Sequence, residues 1–144
     1  LDVFVATESN RIGAPEAAHN LHYNSYRYAA KLRGLSFNLS AAEFLELTKQ
    51  DCFYCGEPPK TNRAYYDRQR RKALKRENKF DDTYYSGGLI KVNGVDRMDS
   101  MLGYFLDNCV PCCSLCNITK RELGINEYFS LVEKIYNRHI RTQK

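Results

Sequence analysis

A helical front half, a β, β, α succession behind it and two widely separated Cys-x-x-Cys pairs predict an α+β domain, mostly helical and stapled by a four-cysteine metal site. Pro15 suits the first turn of a helix that runs through Leu21, Tyr28 and Leu32 and stops at Gly34. Ser40-x-x-Glu43 is a capping box, and Phe44, Leu45 and Leu47 give the short helix behind it an apolar face. Residues 60 to 80 suit a basic helix and Asp81 to Gly88 a loop. Leu89 to Asp99 suits a strand, Gly103-Tyr104 a turn and Cys109 to Cys112 a returning strand. Ser114 to Leu123 then forms a helix ended by Gly124. Asn126 caps a last helix with Tyr128, Leu131, Val132, Ile135 and Tyr136 at helical spacing.

Cys52-x-x-Cys55 pairs with Cys113-x-x-Cys116, and two such knuckles supply the four thiolates of a tetrahedral structural zinc site. Gly56, just behind the first pair, permits the φ > 0 turn that wraps backbone around an ion. Cys109 and Cys112 form an overlapping pair that competes for the assignment, but they read better as small buried hydrophobes on a strand. Nothing resembles a secretory signal, so reduced thiols and an intracellular setting are expected rather than a disulfide framework. No run is apolar for long enough to span a membrane. The chain has 144 residues, enough for one domain or a domain with an appended arm, and opening on Leu1 it points to further sequence upstream.

The net charge of +5 is unevenly spread: Lys60 to Lys79 holds nine basic against two acidic residues and is itself +7. Arg63, Arg68, Arg70, Arg71, Lys72, Lys75 and Arg76 lie in this run, and Tyr65, Tyr66, Tyr84 and Tyr85 flank it. Such a patch neutralises several phosphates and the tyrosines can stack on bases, although a solvated helix face has the same composition.

Val95-Asp96-Arg97, Asp107-Asn108 and Cys113-x-x-Cys116-Asn117-x-x-Lys120 resemble the ββα-metal motif of HNH endonucleases over about half the chain. Within that group the run Gly94-Val95-Asp96-Arg97-x-Asp99-Ser100-x-x-Gly103-Tyr104 is similar to a small branch of restriction endonucleases, and Asn20-Leu21-x-Tyr23-Asn24 adds a weaker upstream similarity.

This resemblance implies a phosphodiester hydrolase acting on double-stranded DNA and leaving 5′-phosphate and 3′-hydroxyl ends. Asp96 and Asn117 would hold one catalytic Mg²⁺, with Mn²⁺ as a substitute, through the oxygen donors a hard cation prefers. Most of the family has a histidine base where this chain has Arg97, and a guanidinium keeps its proton and suits a clamp on phosphate instead. The upstream similarity makes Tyr23 and His22 candidate bases, with His19 behind them and Asn20 orienting a group there. Alternatively the metal suffices, or Arg97 marks a site that binds without cutting. Asn108 is expected to brace its loop, Asp99 to cap a turn, and Lys120 to contact a phosphate.

The expected organisation is an N-terminal helical arm over residues 1–50, contributing to the active site and DNA binding. Residues 51–144 form the zinc-stapled core, with a basic insertion at 60–88. Three functions follow: a site-specific endonuclease or nickase of restriction, homing or phage-encoded type; an inactive zinc-stabilised DNA-binding module; or an RNA-directed nuclease or binder. One active site cuts one strand, so double-strand cleavage calls for a homodimer.

Overall fold

The computed structural model describes residues 14–61 and 90–143. The sequence-expected basic helix, the loop at 81–88, and Arg63, Arg68, Arg70, Arg71, Lys72, Lys75 and Arg76 therefore lie outside the described residues, apart from Lys60 and Thr61 at the run's start.

The domain is α+β. Helix α1 spans Ala14–Leu32, with Pro15 in its first turn. It ends where Gly34 takes φ 67°, the Leu35 N–H reaching Ala30 O at 2.9 Å and the Gly34 N–H reaching Lys31 O at 3.1 Å, the paired bonds of a Schellman stop. The buried face of α1 differs from the sequence expectation. Leu21, Tyr28 and Leu32 are 58%, 64% and 69% exposed, while Ala18 and Ala30 are buried and Tyr23 and Tyr26 pack on the core. Ala18, His22, Tyr26 and Ala30 recur every four residues, a row whose small members let the helix approach closely and whose rings fill the gap.

Helix α2, Ala41–Thr48, starts at the expected box: Ser40 Oγ accepts from the Glu43 N–H at 3.2 Å and the Ser40 N–H donates to Glu43 Oε2 at 2.8 Å. Its Phe44 is 2% exposed and lies 5.1, 5.5 and 5.1 Å from the rings of His22, Tyr23 and Tyr26. Leu39, Leu47, Val95, Tyr104 and Cys109 complete this core. Residues assigned to the arm and residues of the β, β, α unit thus share one interior.

Packing against Phe44 sets the protonation of His22. Burial, and then the charge of His19, push its pKa down to about 4, and its Nδ1 is buried without a partner. The fold therefore prefers the neutral imidazole. Stability is complete above the free-histidine value near 6.5 and is lost as pH falls from there to about 4. We expect urea unfolding to weaken by roughly 3 kcal/mol across that window and His22→Phe to lack most of the drop; an equal drop in the variant would assign the titration to other groups.

Strands β1, Lys60–Thr61, and β2, Lys91–Val92, form an antiparallel pair with Lys60 opposite Val92. After Asn93 comes β3, Gly94–Arg97, so the expected single strand is two. β3 pairs antiparallel with β4, Cys109–Cys112, in a register that sets Asp96 opposite Val110 and Arg97 opposite Cys109. Between them the tight turn lies at Asp99–Leu102, where Asp99 Oδ1 accepts from the Met101 N–H at 2.9 Å. Tyr104 is not in that turn but bridges to Phe37, its N–H reaching Ser36 O at 2.8 Å. A side chain at Gly103 would come within 2.5 Å of Ser36 O, so only glycine allows this approach.

Helix α3, Ser114–Lys120, is shorter than expected and ends at Arg121, which takes φ 52°. Gly124 does not end it. Gly124 is instead the N-cap of α4, Ile125–His139, with its N–H donating to Glu127 Oε2 at 3.0 Å, which leaves Asn126 inside the helix rather than at its cap. Leu131, Val132, Ile135 and Tyr136 of α4 are exposed, so their helical spacing marks an outward apolar face among the described residues.

Candidate active site and metal centre

Two centres lie back to back on the β, β, α unit. The Sγ atoms of Cys52, Cys55, Cys113 and Cys116 all fall within 4.8 Å of one another. Tetrahedral thiolates at about 2.3 Å from a zinc ion would stand about 3.8 Å apart, and Cys55 and Cys113 are 3.7 Å apart. Four sulfur donors at this spacing are the set a zinc ion takes. Burial opposes ionisation of Cys52, but backbone N–H groups of Cys113, Cys55 and Tyr54 outweigh it and lower the thiol's pKa, whereas burial raises those of Cys113 and Cys116. Cys109 lies in the main core, and Cys112 packs against Cys52, Cys113 and Cys116 without being one of the four sulfurs of the set; burial pushes Cys109 up to about 12 and Cys112 well above the ordinary thiol range. They are buried thiols of the strand, as expected.

Local backbone explains how the knuckle holds its shape. Gly56 adopts φ 76°, its N–H bonding Cys52 O at 2.9 Å, and the Phe53 N–H reaches Pro111 O of β4 at 2.8 Å. Asn93, 4% exposed, ties the knuckle to the strand by donating from its amide to Gln50 O and Glu57 O at 2.8 and 3.2 Å. On the other side Cys113 is the N-cap of α3, its sulfur accepting from the Cys116 N–H at 3.4 Å. The cysteine cluster therefore includes the N-cap of the helix that carries Asn117.

Beside it a cleft of about 450 Å³ opens between α1, β3 and the end of α3. Asp96, Arg97 and Asn117 all line it. Asn117 is half-buried, with no side-chain hydrogen bond among the described residues. Asp96 is 6% exposed, and its Oδ2 accepts from the Tyr54 hydroxyl at 2.7 Å and lies 3.1 Å from Lys120 Nζ. Oδ1 has only a long 3.5 Å contact with the same ammonium. Oxygen donors with spare lone pairs at a cleft wall fit a hard divalent cation.

Arg97 acts differently from a free phosphate clamp. Its Nη1 donates to Ser100 O and Leu102 O, each at 2.7 Å, and its guanidinium lies 5.2 Å from the Tyr104 ring centre, so one end of the group secures the turn. Asn108 braces the same turn: its amide donates to Asp99 O and Gly103 O, and its Oδ1 accepts from the Asp99 N–H at 3.0 Å. Lys120 corrects the sequence reading. It is fully buried, paired with Asp96 and donating to Arg97 O at 3.0 Å, so it is an internal tie between α3 and β3 rather than a phosphate contact.

The upstream candidates do not reach the cleft wall. Tyr23 donates to Leu39 O at 2.8 Å within the core, His22 is enclosed by Tyr26 and Phe44, and Asn20 is exposed elsewhere on α1. One turn on, Tyr26 does line it, accepting from the Val95 N–H at 3.1 Å, and burial pushes its pKa up to about 12. Sequence reasoning also missed Arg33, Arg121 and Glu122, which line the cleft as well. Arg33 is held there by donating to the Tyr104 hydroxyl at 2.9 Å. Nothing in the local pattern of α1 marks Arg33, whereas Arg121 directly follows the motif's lysine and could have been found from it.

No family model matches the chain. Over 115 residues it is 30% identical to uncharacterized protein R423 of Acanthamoeba polyphaga mimivirus, a match that covers 80% of the chain but spans only 16% of that protein's length. Among solved structures it is similar to the rare-cutting HNH restriction endonuclease PacI, at 24% identity and a TM-score of 0.51, over 83% of this chain and 78% of that one. The chain therefore has the fold of an HNH endonuclease.

Proposed function

We propose that the protein is a metal-dependent endonuclease that hydrolyses phosphodiester bonds in double-stranded DNA. The observation that carries this reading is that Asp96 and Asn117 line the same cleft as Arg33, Arg97 and Arg121. A protein that only binds DNA needs the guanidiniums but not two oxygen donors in the same cleft.

Asp96 and Asn117 would hold Mg²⁺ or Mn²⁺, which supplies Lewis acidity to the scissile phosphate and its departing 3′ oxygen. Arg33 and Arg121, both exposed, attract and orient the phosphates on either side. Arg97 holds the turn after β3 and keeps Asp96 in register. Among the described cleft residues the Glu122 carboxylate is the candidate to take a proton from the attacking water, whereas burial holds the Tyr26 hydroxyl protonated. Ends bearing 5′-phosphate and 3′-hydroxyl groups follow from in-line attack with 3′ departure. Zinc at the four cysteines, DNA contacts from the basic run at Lys60 to Lys79, residues 1–50 as an arm on a 51–144 core, and an intracellular setting complete the reading. Among the described residues no helix is long and apolar enough to cross a membrane. A double-strand cut would require a homodimer.

The test is incubation of supercoiled plasmid and a randomised duplex library with the protein in Mg²⁺ and then Mn²⁺, with Asn117→Ala alongside, sequencing every new end. Metal-dependent ends absent from the variant are expected. Binding without new ends in either metal would leave a zinc-stabilised DNA-binding module, and cutting retained in the variant would put the cation elsewhere.

A further inference from the structure

We propose that Tyr54 is a positioning residue through which the four-cysteine metal centre sets the geometry of the Asp96 cation site. The inference rests on the endonuclease reading for what Asp96 holds, but the contact itself is independent of it. Tyr54 lies inside the first knuckle, between Cys52 and Cys55. Its hydroxyl crosses from that knuckle to the β, β, α unit and ends 2.7 Å from Asp96 Oδ2.

The bond has a fixed direction, because a phenol hydroxyl beside a carboxylate is the donor and the carboxylate the acceptor. Together Tyr54 and Lys120 engage Oδ2, which leaves Oδ1, with one long contact to the same ammonium, as the less engaged oxygen of a residue that lines the cleft. The Tyr54 ring is itself gripped: its centre lies 5.2 Å from Phe53, 5.5 Å from Tyr128 and 5.9 Å from Phe129. Backbone on both sides of Tyr54 is committed to the metal centre, because Phe53 bonds to β4 and Cys52 O receives the Gly56 N–H. A knuckle that closes on its metal therefore carries the Tyr54 hydroxyl to one place, and Asp96 is oriented from there. Groups that orient a metal-binding carboxylate from behind typically alter metal affinity about 10–100-fold when removed.

The experiment is a Mn²⁺ titration, followed by electron paramagnetic resonance, of the zinc-loaded full chain as wild type, Tyr54→Phe, Tyr54→His and Asp96→Ala. Phenylalanine preserves the ring packing and removes only the donor, so zinc stoichiometry should stay at the wild-type value while the Mn²⁺ Kd rises by about tenfold or more. Histidine returns a donor and should recover part of the affinity. An unchanged Kd in Tyr54→Phe, equal losses in both Tyr54 variants, or failure of Tyr54→Phe to load zinc would each overturn the positioning role. Wild-type binding that Asp96→Ala leaves untouched would overturn the endonuclease assignment of Asp96 itself, and this inference with it.

Discussion

Stripping the metal from Cys52, Cys55, Cys113 and Cys116 with a chelator should unfold the domain, and Cys52→Ser should give a chain that cannot be recovered folded. Structural zinc contributes about 10–16 kcal/mol of apparent binding energy in small zinc peptides, against a total domain stability of about 5–15 kcal/mol. The centre is also the joint of the domain: it ties the knuckle at 52–56 to the start of α3 and, through Phe53 and Pro111, to β4. Without it the knuckle has little to bury, since among the described residues Cys112 and the partly buried Tyr54 are what pack against the four cysteines. Far-UV circular dichroism before and after chelation measures the effect directly. Cys112→Ala is the control and should cost about 1 kcal/mol with the metal retained. A Cys52→Ser chain that is soluble, folded and metal-free would refute the structural role, and loss of metal in the control would redraw the ligand set.

Lys120→Met should destabilise the protein by about 3–5 kcal/mol, because it leaves Asp96 as a buried charge without its counter-ion. The ammonium is wholly buried and the carboxylate side chain only 7% exposed, so water cannot replace the lost partner. Tyr54 still donates one hydrogen bond to Asp96 but brings no charge. Removing both charges in Lys120→Met with Asp96→Asn should restore most of the loss, as buried pairs replaced together often come out near neutral. Urea denaturation of the three proteins at constant zinc closes the cycle. A single-variant loss below about 1 kcal/mol, typical of surface pairs, would mean that Lys120 is free to face a phosphate after all.

Those two residues mark where the sequence was readable and where it was not. Cysteine spacing, the Ser40–Glu43 box and the stop at Gly34 are local chemistry: each needs only its own few residues, and each is found where expected. The β, β, α order follows from the same kind of pattern. The buried face of α1 did not, because the choice between a leucine face and an alanine–aromatic face is made by what packs on it, here Phe44 and Tyr104. Lys120 misled for a related reason: a lysine at a helix end reads as solvent-facing until the carboxylate across from it is placed. Tyr54 occupied a variable position of the knuckle, where nothing local signals a partner 42 residues away. Gly124 was a legible error, since Glu127 three residues on can accept from the Gly124 N–H, and glycine is itself a favourable N-cap.

The small pair of β1 and β2 separates two kinds of change the protein can undergo. With Lys60 opposite Val92 and Thr61 opposite Lys91, the two ends of the intervening stretch of sequence are held side by side. Residues between such ends can lengthen, shorten or change composition at a cost that grows only slowly with length. The described cleft residues, the four thiolates and Asp96 are all contributed by other parts of the sequence. If the basic run chooses where on a nucleic acid the protein settles, then preference and chemistry occupy separable stretches of sequence. A lineage could then trade one preference for another by rewriting a single cassette, leaving the cleft and the thiolates untouched.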